Sequence, residues 1–333
     1  MTATNHHRHT HHEGEPDQTP PTPVSVWATA QVGPRAQRRG RYTTESLAHP
    51  GKMFPAIAAH AVAVYTKPGD LVIDPMCGIG TTLVESIHAD RMAIGVEYEK
   101  RWADMAQRNI EYATDHGAPG YATAIRGEAR NIERLVGPGV SGKAALVLTS
   151  PPYGPVTHGH VRVSSDSGQP GVRKANNRYG QDPGNLAHGS VDDLMDGFTE
   201  ILSGCRALLR PGGYLVMTAR PFRRAGSLID IPALATDAAI SAGFTLHERC
   251  VALLAAACDS GIKARPSFFQ LVNSRNAFAA GSPTHAVVHE EVVVLRALTM
   301  EKSHRDEQHD ESADEPGCGC VPFGRRNRAE RAA

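Results

Sequence analysis

The 333-residue sequence lacks the features that would assign it to a membrane or secreted protein. It has no run of eighteen apolar residues, so no membrane-spanning helix is expected. Its first residues show no signal-peptide pattern. The six cysteines are irregularly spaced, which does not indicate a disulfide framework and favours reduced thiols. The sequence therefore predicts a cytoplasmic protein with no membrane partner.

The sequence also lacks net charge, since 35 basic residues balance 35 acidic ones. Acidic residues outnumber basic ones in 1–30 and 301–333, so the intervening chain is positively charged. Its basic residues cluster in two places, Arg35 to Arg41 and the segment after residue 154. Binding to phosphates is one interpretation of these clusters. Solvated loops are the other, and the sequence leaves both open.

A five-residue segment, Thr149-Ser150-Pro151-Pro152-Tyr153, follows the apolar run Ala144–Leu148. Such a run predicts a buried parallel strand, and open α/β sheets bind ligands just beyond the carboxyl ends of their strands. The two prolines stiffen the turn and leave carbonyl groups as acceptors. An aromatic ring can stack a planar base while the serine and a carbonyl accept hydrogen bonds from its exocyclic amine. These residue types suit methylation of an amino group.

A second motif, Leu71 to Thr82, predicts a strand, a glycine turn and a helix that begins near Thr81. Glycines let the backbone pass close to a ligand, and the start of a helix offers unpaired N–H groups. The third glycine of the dinucleotide fingerprint is absent at its expected offset, which disfavours NAD. A plain strand-to-helix turn is the alternative interpretation.

Regular alternation of strands and helices predicts a doubly wound α/β domain with a mostly parallel sheet. The last two strands are expected to form an antiparallel hairpin at one edge. The predicted strands lie at about 71–75, 92–98, 123–128, 144–149, 213–219, 245–254 and 290–297.

These segments resemble the amino-directed DNA methyltransferases. The Thr-Ser-Pro-Pro-Tyr segment resembles the catalytic loop of the cytosine-N4 branch, and Asp-Pro-x-x-Gly-x-Gly-Thr-Thr resembles the first motif of S-adenosylmethionine (SAM) methyltransferases. The resemblance spans about residues 45–298. It implies the class I methyltransferase fold, with a seven-stranded, Rossmann-like sheet. It also implies SAM as the cofactor and no metal.

The resemblance implies that Ser150, Pro151, Pro152 and Tyr153 are catalytic. It implies a set of cofactor-binding residues as well, which comprises Lys52, Asp74, Pro75, Cys77, Gly78, Gly80, Thr81, Thr82, Glu97, Glu128, Ala129 and Thr149.

Three of the cofactor residues are assigned more specific roles. Glu97 ends a predicted strand, where a carboxylate can accept both ribose hydroxyls. Glu128 stands near the adenine, where aspartate is more usual, and a solvated loop acid is the alternative. Lys52 is expected to lie in a segment that closes over the methionine end of the cofactor. An exposed lysine at a helix entry is the alternative there.

The domain organisation predicted from the sequence has three parts. A polar, His-rich leader (1–44) and a charged tail (299–333) are expected to be disordered, and the methyltransferase domain is expected to span 45–298. Within the domain, the insert 154–190 is expected to face the substrate. Its predicted nucleic-acid contacts are Arg162, Arg173, Lys174 and Arg178.

DNA is the expected substrate and cytosine N4 the expected target atom. RNA, adenine N6, tRNA guanine N2 and a non-catalytic nucleotide-binding module of the same fold are the alternatives. No cysteine follows a proline as the nucleophile of carbon-5 cytosine methyltransferases does, so that reaction is not expected. No separate target-recognition domain is visible, which weakens the case for a stand-alone restriction-modification enzyme. The sequence identifies no partner endonuclease or specificity protein.

Overall fold

The computed structural model describes residues 22–49, 51–151, 159–164, 171–176, 185–224, 227–265, 268–282 and 284–297. All of them belong to a unit that spans Met1–Thr299. Pro152, Tyr153 and Arg178 lie outside the described residues, as do residues 1–21 of the predicted leader and the whole predicted tail.

Two kinds of strand occur, those of one large sheet and those of three small hairpins. In chain order the strands are β1 (Val26–Trp27), β2 (Leu71–Asp74), β3 (Met92–Glu97), β4 (Tyr121–Arg126), β5 (Ala144–Thr149), β6 (Gly159–Ser164), β7 (Gly171–Asn176), β8 (Leu209–Ala219), β9 (Phe222–Arg224), β10 (Ser227–Ile229), β11 (Phe244–Leu253), β12 (Ala255–Cys258), β13 (Gly261–Ala264) and β14 (His289–Ala297).

Helices separate most of these strands. In chain order they are α1 (Pro34–Arg38), α2 (Pro55–Tyr65), α3 (Thr81–His88), α4 (Lys100–Asp115), α5 (Ile132–Val136), α6 (Val191–Leu208), α7 (Ile231–Ser241) and α8 (Phe268–Ala279). Short 3₁₀ turns lie at Thr44–Ala48, Ala129–Asn131, Pro138–Val140 and Leu186–His188.

The large sheet has the strand order β1-β11-β14-β8-β5-β2-β3-β4. Strands β4, β3, β2, β5 and β8 are parallel to one another, whereas β14 runs antiparallel to both β8 and β11. This confirms the predicted fold class and its antiparallel edge. The sheet has eight strands rather than the expected seven, because β1 pairs with β11 through Val26 and Val251.

Helices cover both faces of the sheet, and β5 at its centre is buried on both sides. Leu146 and Leu148 pack in the cluster formed with α2, α3 and α4, whereas Val147 packs in the cluster formed with α6 and α7. Successive side chains of a strand point to opposite faces, so an unbroken apolar run is what a doubly covered strand requires. The parallel strands therefore end together at one carboxyl edge.

The prediction of a disordered leader up to residue 44 is wrong for its last part. Trp27 and Tyr42 are buried in the core. Gln37 donates to the carbonyls of Thr29 and Val32, and its own carbonyl accepts the N–H of Ala56. The partners of Gln37 are backbone groups of an irregular segment and of helix α2. No local periodicity in this polar segment therefore predicts these contacts.

The predicted insert 154–190 also contains regular structure. Strands β6 and β7 form an antiparallel pair in which Arg162 is the partner of Arg173 and Val161 is the partner of Lys174. The register thus brings three of the four predicted nucleic-acid contacts to neighbouring backbone positions. Similarly, the segment between β11 and β14 contains the hairpin β12–β13 and helix α8.

Within the described ranges, no helix is long and apolar enough to cross a membrane. The cysteines in those ranges, Cys77, Cys205, Cys250 and Cys258, carry free thiols, as their spacing predicts.

Gly95 is expected to be the glycine of the sheet least tolerant of a side chain. A Cβ at this position would lie 2.7 Å from Cys77 Sγ and 2.7 Å from Leu83 Cδ1, so Gly95→Ala overpacks the contact between β3 and the loop after β2. We expect the free energy of unfolding in urea to fall by about 1–3 kcal/mol. The matched control is Gly139→Ala, whose Cβ would meet nothing within 4 Å. Equal stability of the two variants would show that the loop can move away from β3.

Candidate active site

An open cavity lies at the carboxyl edge of the sheet, and most of the predicted site residues line it. Those that line it are Lys52, Asp74, Pro75, Cys77, Gly78, Thr81, Thr82, Glu97, Glu128, Ala129, Ser150 and Pro151. Thr149 is fully buried behind the cavity, and Gly80 packs against helix α4. The sequence patterns around four separate strands thus converge on one space.

The loop after β2 is a tight cradle fixed to its neighbours. Gly78 and Gly80 have φ angles of 53° and 78°, which side-chain-bearing residues rarely adopt. A Cβ on Gly80 would lie 3.1 Å from Ala106 Cβ, so only glycine lets the loop approach α4 this closely. Asn109 Nδ2 donates to the carbonyl of Ile79 at 2.9 Å. The loop is therefore held in shape before any ligand binds.

Asp74 fixes the start of helix α3 to the end of β2. Its carboxylate accepts from Thr82 Oγ1 at 2.6 Å and from the N–H of Met76 at 3.1 Å. Burial raises the pKa of Asp74 to about 6, although these hydrogen bonds oppose the shift. Thr149 also lowers the pKa of Asp74, although its hydroxyl makes no hydrogen bond of standard geometry. With both oxygens occupied by the protein, Asp74 organises the loop.

Glu97 joins the tip of β3 to the same loop. One carboxylate oxygen accepts the N–H of Gly78 at 2.9 Å, and the other accepts the N–H of Glu99 at 2.9 Å. Burial raises the pKa of Glu97 to about 7. A carboxylate has about four acceptor positions, so two remain for donors from the cavity. The vicinal hydroxyls of a ribose are donors of this kind, and the geometry fits a nucleoside.

Lys52 lines the cavity but is held by the chain just before it. Its ammonium group donates to the carbonyl of Leu47 at 3.0 Å and also to that of His49. Burial, with the nearby charge of Arg38, lowers the pKa of Lys52 to about 8. The residue is half-buried rather than an exposed lysine at a helix entry.

Glu128 caps a 3₁₀ turn at the cavity wall. Its carboxylate accepts the N–H of Arg130 at 3.2 Å and pairs with the guanidinium of Arg130 at 3.0 Å. The side chain is therefore tethered on one side and open to the cavity on the other, unlike a fully solvated loop acid.

The described part of the catalytic segment lies where it was predicted, at the tip of β5. Ser150 is half-buried, Pro151 is buried, and both line the cavity. The pairing of Thr149 with Met217 places this tip beside the end of β8. The assignment of Pro152 and Tyr153 stays a prediction.

Several residues of the cavity wall were not found from the sequence. Trp102 packs its ring edge against His49, with ring centroids 4.5 Å apart. Asn185 Nδ2 donates to Glu99 Oε1 at 2.9 Å, which ties the end of the insert to the tip of β3. Arg220 and Glu290 form an ion pair at the far side of the cavity. No motif marks these residues, because each comes from a segment distant in sequence.

Two arginines of the first basic cluster bind within the protein rather than facing a phosphate. Arg38 is buried, and its guanidinium donates to the Met53 carbonyl at 2.6 Å and to Thr81 Oγ1 at 3.1 Å. Arg41 pairs with the carboxylate of Glu85. Arg35 and Arg39 are the exposed members of this cluster.

In sequence, parts of this chain are similar to methyltransferases that are named for DNA or tRNA. A family described as DNA methylase matches residues 2–108. The tRNA (guanine(10)-N2)-dimethyltransferase of Methanothermobacter thermautotrophicus is 28% identical over 32% of this chain and 29% of its own. The DNA adenine methyltransferase YhdJ of Escherichia coli is 27% identical over 26% of this chain and 29% of its own. The type II methyltransferase M.ScaI of Streptomyces caespitosus is 30% identical over 27% of this chain and 28% of its own.

The chain therefore covers less than a third of the length of each of these relatives. The likenesses support an amino-methyltransferase with SAM as its cofactor. They do not single out a target atom, because the relatives differ in their substrates.

The binding of SAM is expected to depend on pH through Glu97. Its pKa of about 7 means that the free protein carries a proton on this group below pH 7, whereas ribose hydroxyls donate to the ionised form. Affinity measured by calorimetric titration should therefore rise between pH 6 and pH 8. Glu97→Gln should lose at least about tenfold in affinity at pH 8, the loss of one hydrogen bond to a charged group, and should lose this part of the pH dependence.

The matched control for this prediction is Glu111→Gln, an exposed glutamate on helix α4. It should keep the affinity and the pH profile of the wild type. Unchanged binding of SAM to Glu97→Gln would remove Glu97 from the cofactor site.

Proposed function

We propose that this protein transfers a methyl group from SAM to the exocyclic amine of a flipped base in DNA, with cytosine N4 as the target. The observation that carries the proposal is the shared cavity. The carboxylate of Glu97 and the Ser150–Pro151 tip of β5 open into the same space, on strands separated only by β2. A nucleoside cofactor and a planar amine can thus be bound side by side.

The cofactor side of the cavity consists of the loop after β2 and the tips of β3 and β4. The cradle formed by Gly78 and its neighbours would hold the methionine part, and Glu97 would accept the ribose hydroxyls. Glu128 and Ala129 would border the adenine, with Lys52 near the methionine end. When bound, SAM supplies a methyl group activated by its sulfonium sulfur.

The catalytic side supplies orientation and acceptors. In a duplex the target base must leave the stack before it can enter such a pocket. Ser150 Oγ and the carbonyl of Pro151 would accept the two hydrogens of the exocyclic amine, which directs the nitrogen lone pair toward the methyl group. As the nitrogen gains positive charge, these acceptors stabilise it, and the amine proton finally passes to solvent. Tyr153 would stack the base.

The hairpin β6–β7 and its connections are proposed to contact the nucleic acid. This segment follows the catalytic tip directly, and its Arg162, Arg173 and Lys174 occupy neighbouring backbone positions. Contacts between such residues and phosphates supply affinity that is independent of sequence.

Methylation of guanine N2 in tRNA is the second candidate function. The relative from Methanothermobacter thermautotrophicus, which carries that name, is the observation that favours it. Adenine N6 in DNA is favoured in the same way by the relative from Escherichia coli. DNA cytosine N4 is preferred because serine, rather than aspartate, precedes the two prolines.

The product identifies the target atom. After incubation with SAM and either mixed-sequence DNA or tRNA, nucleoside mass spectrometry should find N4-methylcytosine in the DNA. Ser150→Ala should lower kcat on the order of a hundredfold, because one acceptor for the developing charge is lost, and should leave SAM affinity unchanged. Ser203→Ala, which removes an exposed hydroxyl on helix α6, is the matched control. N6-methyladenine or methylated tRNA guanine as the sole product would refute cytosine N4.

The hairpin should determine the salt dependence of DNA binding. Replacing Arg162, Arg173 and Lys174 together with alanine should reduce the log–log slope of affinity against salt by up to about three units, since each phosphate contact contributes about one unit. The control pair Lys67→Ala and Lys143→Ala removes exposed lysines at the opposite, amino edge of the sheet. If the hairpin variant keeps the wild-type slope while binding SAM normally, the nucleic acid follows another path.

A further inference from the structure

An ion pair between a partly buried arginine and a buried glutamate forms the wall of the cavity beyond the proposed catalytic tip. Arg220 directly follows β8. Glu290 is the second residue of β14, and its neighbour Glu291 is the partner of Ala219. Arg220 Nε and Glu290 Oε1 are 3.9 Å apart, and the side chains are 23% and 9% exposed. Both line the cavity.

The strand order places this pair on the substrate side of the cavity. Around the cavity the strands lie in the order β14, β8, β5, β2 and β3. Asp74 and Glu97 end β2 and β3, so they lie on the opposite side of Ser150 from the ion pair. Neighbouring strands are about 4.8 Å apart, so Arg220 is one strand from the catalytic tip. A base held at Ser150 and Pro151 would lie within reach of the arginine.

A contribution to the stability of the fold does not explain the presence of this ion pair. Removing two charges from water costs several kcal/mol per ion, and apolar residues of similar volume are often as stabilising. A separation of 3.9 Å is also longer than a direct hydrogen bond between an arginine and a carboxylate. A charged pair of this kind, partly buried at the wall of a cavity, suits recognition of a polar ligand.

We propose that Arg220 reads the Watson–Crick edge of the flipped base and that Glu290 orients its guanidinium. The inference rests on the proposed function and deepens it. Enzymes that act on flipped bases read them by hydrogen bonds to this edge. Glu290 is a positioning residue, because it acts through the arginine.

The chemistry of the edge favours cytosine. Cytosine presents two acceptors, N3 and O2, in line with its amine, and the two-pronged guanidinium can donate to both. Adenine presents only N1, with a C–H group beyond it. Guanine carries a hydrogen on N1 next to its exocyclic amine, so a donor there meets a donor. Arg220 thus selects cytosine over adenine and rejects guanine.

The test compares products and kinetics in variants of the full chain. Arg220→Met keeps an unbranched side chain, although a shorter one, and removes the guanidinium donors. With mixed-sequence DNA, its kcat/KM for N4-methylcytosine should fall at least about tenfold, as expected for a hydrogen bond from a charged donor. Any N6-methyladenine formed should rise relative to N4-methylcytosine. Arg220→Lys, which keeps one donor, and Glu290→Gln should give intermediate ratios.

The matched control is a second arginine–glutamate pair of the same sheet. Arg249 Nη1 and Glu291 Oε2 are 3.7 Å apart between β11 and β14, and neither residue lines the cavity. Arg249→Met should keep both the rate and the product ratio. Titration with SAM tests whether each variant is folded. If Arg220→Met does not bind SAM, the rate and product ratio of Arg220→Lys provide the test instead.

The outcomes separate the two proposals. Wild-type protein that methylates no cytosine in DNA refutes the proposed function. Wild-type protein that forms N4-methylcytosine, with Arg220 variants of unchanged rate and product ratio, overturns the role of Arg220 alone. A fall in rate with an unchanged product ratio would also overturn base reading, since a merely structural role gives that result.

Discussion

The arrangement of the site depends on two carboxylates, of buried Asp74 and half-buried Glu97, that bind the backbone of one loop. Asp74 accepts from Thr82 and Met76, and Glu97 accepts from Gly78, so the loop after β2 is clamped between neighbouring strand ends. Burial raises the pKa of both groups, which shows that their ionised forms are disfavoured without these donors. A ligand that offers further donors to Glu97 would compensate the same cost. The carboxylate of Glu97 therefore contributes both to the shape of the loop and to the proposed affinity for a nucleoside.

The segment that borders the cofactor side of the cavity is held in place by charged side chains that contact helix α3. Arg38 connects the carbonyl of Met53 to the first residue of helix α3, while Tyr42 and Arg41 both bind Glu85 on that helix. Burial lowers the pKa of Arg38 and raises that of Tyr42. Since the removal of one partner leaves an uncompensated buried charge, residues 38–42 belong to the domain rather than to a leader.

The two sides of the cavity differ in origin. The cofactor side is formed mostly by short, contiguous motifs, because each loop follows directly from the strand that positions it. The proposed substrate side includes Arg220, which follows β8, and Glu290 of β14, and these residues meet only because the two strands are paired.

The sequence by itself determined seven strands of the sheet, the position of the loop after β2 and the position of the proposed catalytic tip of β5. Apolar runs such as Ala144–Leu148 and helix starts such as Thr81 are local patterns, and local patterns can be recognised in a single sequence. Only the tertiary structure decided that residues 22–44 fold onto the domain, that β1 extends the sheet and that Asn185, Arg220 and Glu290 line the cavity. These features depend on hydrogen bonds and ion pairs between segments far apart in the chain, and such contacts leave no periodic pattern in either partner.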